Sequence, residues 1–133
     1  MTRYAIDAPT LLRLVTEEAV VSSNHQLVAP NLIRSQALAL LFGAVRDGRM
    51  TEQTALQLHE RITELKMRLL GDRVSRRTAW RIAREQGWPT TYDAEYLAVA
   101  RLQADALVTI DAEMAARAAG IVPLAEFAAL LEN

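Results

Sequence analysis

The chain has 133 residues, enough for one domain around one core (1–133), and 51% of them are hydrophobic, which excludes disorder by composition. It has no cysteine and only two histidines, His25 and His59, so disulfides, thiolate nucleophiles and zinc–sulfur sites are excluded and any metal must be held mainly by oxygen. A net charge of −1 gives no whole-molecule field to recruit nucleic acid, and no apolar run approaches the roughly 18 residues of a membrane span. The opening MTRYAIDAP carries no apolar leader stretch, so a soluble cytoplasmic protein with no membrane partner is the expectation.

Residues 3–6 (RYAI) form a first short strand that ends at Asp7. Pro9 suits the first turn of a helix over 9–18, with Leu11, Leu12 and Val15 on its apolar face. VSSNHQ is a polar turn and LVA (27–29) a brief strand, with Pro30 where the next helix begins. Helix 31–47 places Leu32, Ile33, Ala37, Leu40, Leu41 and Ala44 at helical spacing before DGR (47–49) breaks it. Thr51 opens a helix with Ala55, Leu58, Ile62 and Leu65 inward, and KMRLL is either its last turn or a short strand. Ser75 caps helix 76–86, with Ala79, Trp80 and Ala83 inward; Gly87 and Pro89 end it. Helix 93–104 presents Tyr96, Leu97, Ala100 and Leu102, and ALVTI (106–110) is a buried strand. Helix 112–119 runs to Gly120, IVPL is a last strand, and AEFAALLE a closing helix. Short apolar strands separated by helices predict a parallel sheet covered on both faces, an α/β fold.

Three acids adjoin these apolar segments. Asp7 and Asp111 each follow a strand, and Asp93 opens a helix. In an open parallel sheet the carboxyl ends of the strands form the ligand crevice, and carboxylates gathered there hold a hard divalent cation. Each acid alone is also placed to cap a helix. Capping does not require all three to adjoin short apolar runs, so the joint pattern favours a metal cluster. A cation so held can activate water against a phosphodiester. The serines and histidines form no recognisable triad.

These segments resemble the PIN domain, and the size and organisation resemble the VapC-type toxins of bacterial toxin–antitoxin pairs. YAIDAPTLLRLV resembles the family's first motif, an Asp ending the first strand. TTYDAEYLAVARLQADALVTID resembles its best-marked region, a helix-opening Asp followed by a T-x-D that closes a strand. The resemblance spans the chain. It implies a three-layer α/β/α sandwich, Mg2+- or Mn2+-dependent endoribonuclease activity on RNA, a homodimer, and a cognate antitoxin as inhibitor. Asp7, Asp93 and Asp111 fall on acidic positions of the site, and Thr109 of T-x-D faces the same pocket.

The chain departs from the family at one position. The family's second acid is usually a Glu in P-x-L-x-x-x-E, and here APNLIRSQ puts Gln36 there, with no other acid in helix 31–46. An amide oxygen is a weaker ligand for a hard cation than a carboxylate and is no general base. A two-metal arrangement loses support, and a second reading opens, in which the chain is a weakened or inactive module that binds RNA or protein.

Fourteen of the fifteen basic residues are arginine, five of them in one stretch: Arg73, Arg76, Arg77, Arg81 and Arg84. Arg77, Arg81 and Arg84 share a helix face, which suits RNA phosphates, or else solvent, pairing with Asp72 and Glu85, or an acidic antitoxin tail. Trp80 and Trp88 could stack on bases, although Trp80 sits among apolar positions and reads as core, while Tyr96 packs inside. Leu38, Phe42, Leu56 and Leu69 suit either core or a dimer or antitoxin surface.

Overall fold

In the computed structural model, which describes residues 1–133, five short strands form one parallel sheet. They are β1 (Thr2–Ile6), β2 (His25–Pro30), β3 (Arg68–Leu70), β4 (Ala106–Val108) and β5 (Leu124–Ala125), in the order β3-β2-β1-β4-β5. The register sets Tyr4 against Leu27 on one side and Ala106 on the other. The central strands read as continuous apolar runs because both faces are covered: Ala5, Ile6, Val28, Ala29, Leu107 and Val108 are all fully buried.

Six helices supply the cover: α1 (Ala8–Thr16), α2 (Leu32–Arg46), α3 (Glu52–Glu64), α4 (Arg73–Gln86), α5 (Tyr92–Gln103) and α6 (Ala112–Ala118). Helices α1, α2 and α3 pack on one another, whereas α4 packs on α5, and α5 lies across β1, β2 and β4. The handedness of the crossovers explains this split. The steps β1 to β2 to β3 run one way across the sheet and the steps β3 to β4 to β5 run the other, so right-handed connections place their helices on opposite faces. The result is an α/β/α sandwich in which the chain changes direction between β1 and β4. The crevice beyond the carboxyl ends of those two strands is the topological switch point.

Several boundaries differ from the sequence reading. Strand β2 begins at His25 inside the expected turn, because His25 and Gln26 pair with Thr2 and Arg3, and Pro30 ends this strand rather than opening a helix. Its missing N–H is harmless at a strand end. KMRLL resolves as edge strand β3, paired to β2. Strand β4 stops at Val108, short of Thr109 and Ile110, and the last strand is Leu124–Ala125 rather than IVPL. The closing helix is a single 3-10 turn, Phe127–Leu130.

Side-chain placement corrects three further expectations. Asp72, not Ser75, caps α4, accepting from the Ser75 N–H at 3.0 Å. Trp80 is 64% exposed, since the buried stripe of α4 is built from small residues, Ala79 and Ala83 with Ser75, Thr78 and Ile82. Leu102 and Leu40, both read as inward, are exposed as well. Leu38, Phe42 and Leu56 also face outward, while Leu69 is half-buried on β3. No helix is long and apolar enough to cross a membrane.

Leu107 fills the sheet centre with no exposed surface, so Leu107→Ala should cost about 2–5 kcal/mol. Leu38→Ala, at an exposed position, should stay within about 0.5 kcal/mol of wild type. Urea denaturation with an unchanged m-value checks both.

Candidate active site

Asp7, Asp93, Asp111 and Gln36 come from four separate segments and line one cleft of about 340 Å³, together with Pro9, Leu40, Tyr96 and Met114. The cleft lies at the switch point because three local structures end or begin there. Strand β1 delivers Asp7, the segment after β4 delivers Thr109 and Asp111, and the first turn of α5 delivers Asp93. Gln36, one turn into α2, reaches the same space.

Asp7 is 2% exposed and is the most constrained of the acids. Its Oδ1 caps α1 by accepting from the Thr10 N–H at 3.2 Å and also takes the Thr10 hydroxyl at 2.5 Å. Its Oδ2 accepts from the Thr109 hydroxyl at 2.5 Å. Burial pushes the Asp7 carboxyl above the ordinary carboxylate range; the bonds from Thr10 and Thr109 oppose this, and the charge of Asp111 adds to it. Thr109 also accepts the Asp111 N–H at 3.0 Å, so one hydroxyl bridges the two acids. Thr10 accepts the Ile110 N–H at 3.2 Å and thereby ties the start of α1 to the end of β4.

Asp111 caps α6 through the Glu113 N–H at 3.3 Å. Capping and cleft-lining are therefore compatible at Asp7 and Asp111, which do both. Asp93 does not cap: Thr91 holds that position with no side-chain bond. The Asp93 carboxylate instead pairs with Arg117 Nη1 at 2.9 Å, with both side chains roughly a quarter to a third exposed. The same guanidinium lies 4.9 Å from the centre of the Trp88 ring. Opposite, the buried Tyr96 hydroxyl donates to Gln36 Oε1 at 2.5 Å. Burial foremost, then the charges of Asp7, Asp93 and Glu95, push this phenol far up, so it remains a donor.

Two participants went unread in the sequence. Arg117 is one arginine among fourteen, and nothing local marks its link to an acid 24 residues away. Thr10 had a signal, since an Asp three residues before a Thr at a helix start is a capping pattern.

A divalent cation in the cleft would meet only oxygen donors from the charged side chains, Asp7, Asp93 and Asp111. No three Asp, Glu or His side chains stand close enough together to enclose an ion by themselves. The oxygen-only donors nonetheless suit a hydrated hard cation, because Mg2+ keeps several waters and uses one or two carboxylates. Asp7 and Asp111, linked through the Thr109 hydroxyl to the Asp7 carboxyl and the Asp111 backbone N–H, would be those two.

The arginines of α4 form a separate surface. Arg77, Arg81 and Arg84 surround the exposed Trp80, and Arg76 lies in a groove with Thr91 and Glu95 of α5. None of these, nor Arg73, makes an ion pair, so the expected pairing with Asp72 or Glu85 is absent.

Ionising a buried Asp7 opposes folding. Its raised pKa means that this burial is well tolerated at low pH and penalised once pH rises through the folded-state value. Asp7→Asn should therefore stabilise the fold at pH 7 by about 0.5–2 kcal/mol. The gain should shrink as pH falls below the Asp7 pKa, as thermal melts across pH would show.

No family model matches the sequence, and no curated protein matches it. Solved structures do. PAE2754 from Pyrobaculum aerophilum superposes with a TM-score of 0.75 at 27% identity, over 98% of this chain and 93% of that chain. VapBC-5 from Mycobacterium tuberculosis, a member of the VapBC family of toxin–antitoxin systems, superposes with a TM-score of 0.59 at 18% identity, over 95% of this chain and 98% of that one. The order of strands, the helical cover and these superpositions agree that the chain has the PIN-domain, VapC-like fold.

Proposed function

We propose that the protein is a divalent-metal-dependent endoribonuclease, the toxin of a toxin–antitoxin pair, acting in the cytoplasm. The observation that carries this reading is the gathering of Asp7, Asp93 and Asp111 in one cleft at the sheet's switch point. Mg2+ or Mn2+, when bound there, would supply an acidified water and a counter-charge for the phosphate. The chain's own residues do the rest. Thr10 and Thr109 fix both oxygens of Asp7 and keep its carboxyl from swinging out of the cleft. Asp111, the most exposed of the three, is free on its outer side to orient water. Tyr96 holds the Gln36 amide in one orientation.

RNA would lie across the cleft and along the basic face of α4. Five arginines that make no ion pair offer phosphate contacts, and Trp80 offers a ring on which a base can stack. The arginine-lined start of α4 follows β3 and so lies at the same sheet edge as the acids. Partners complete the reading. Leu38 and Phe42, one turn apart on α2, with Leu56 on α3, form exposed apolar surface suited to a homodimer or to an antitoxin segment.

A second reading rests on Gln36. An amide whose oxygen is already taken by Tyr96 contributes neither charge nor base, and Asp93 is already neutralised by Arg117. On that reading the chain binds RNA or a protein partner without cutting.

The purified chain should cleave a structured RNA pool in Mn2+ and not in EDTA, and Asp111→Ala should lower the rate at least about 100-fold. Gln36→Glu should raise it. Silence from wild type with activity in Gln36→Glu would favour the second reading, and silence from all would remove the nuclease. Arg77→Ala with Arg81→Ala should weaken RNA binding at low salt and flatten the log K against log salt slope by about 1.4 to 1.8. Binding isotherms at several salt concentrations check this.

A further inference from the structure

We propose that Arg117 is a built-in second cation of the cleft, so that the site takes one divalent ion rather than two. The inference rests on the metal reading of the cleft and goes beyond it. The charges there are Asp7, Asp93 and Asp111, with Gln36 neutral. Arg117 removes one of the three negative charges by pairing with Asp93 at 2.9 Å, leaving two, which one divalent ion balances.

The geometry holds Arg117 firmly in that role. Its side chain is only 27% exposed, and its guanidinium is stacked on Trp88 from the loop between α4 and α5. Its second contact to a carboxylate, Glu113 at 3.8 Å, is to a side chain 75% exposed and adds little. A metal ion seeking Asp93 would have to displace a cation that is already paired and stacked. Asp7 and Asp111 carry no such cation. Gln36 leaves the other wall neutral, where a carboxylate would restore the charge a second ion requires.

Calorimetric titration with Mn2+, with electron paramagnetic resonance counting bound ions, tests the proposal. Wild type should bind one ion per chain. Gln36→Glu combined with Arg117→Ala should bind two, and Arg117→Ala alone should bind its single ion several-fold more tightly. Two ions in wild type, or one ion in a double variant that melts like wild type, would overturn the role of Arg117 and leave the metal reading standing. No ion in wild type would remove the metal reading itself. Wild type alone gives an independent check: with Mg2+ bound, the Arg117 side-chain Nε–H and Trp88 indole signals in NMR spectra should stay in place. Release of Arg117 on Mg2+ addition would also overturn the proposal.

Discussion

The buried carboxylate of Asp7 is the constraint on which the rest of the site depends. It lies where β1 ends and the chain reverses its direction across the sheet, and it has almost no contact with solvent. Such a carboxylate survives only if both oxygens are bonded. Thr10 from α1 and Thr109 after β4 meet that demand, and each of them passes a bond onward, to Ile110 and Asp111. One desolvated acid therefore fixes the approach of α1 to β4 and the position of the second acid. The price is a carboxyl held above its ordinary range, a local destabilisation of the kind expected where function competes with stability.

The opposite wall is organised by charge compensation. Asp93 is paired to Arg117, Arg117 rests on Trp88, and Trp88 follows the Gly87 that ends α4 in a left-handed turn. Gly87 thus does more than stop a helix, since it turns the chain so that an indole ring supports the cation of the cleft. Tyr96 and Gln36 form the remaining side as a neutral hydrogen-bonded pair. The cleft is asymmetric in consequence: one half carries free negative charge, the other is already balanced.

Much of this was legible in the sequence. The α/β class followed from short apolar runs between periodic segments, and Asp7, Asp93 and Asp111 could be named because each adjoins an element boundary, whereas Gln36, inside a helix, was marked only by the family resemblance. What escaped depended on long-range packing. Trp80 looks like core by hydropathy, but α4 meets α5 through alanines, which leaves the indole beside Arg77, Arg81 and Arg84. Edge strands of two or three residues, β3 and β5, carry too little pattern to mark their own ends. Arg117 meets Asp93 only because α6 and the start of α5 share a face of the sheet, a relation no local spacing encodes.

The most direct test of the account is anomalous diffraction from crystals grown in Mn2+. The account predicts a single strong peak at Asp7 and Asp111, with Arg117 still paired to Asp93 and stacked on Trp88. A peak at Asp93 with Arg117 displaced, or no peak in the cleft, would contradict it.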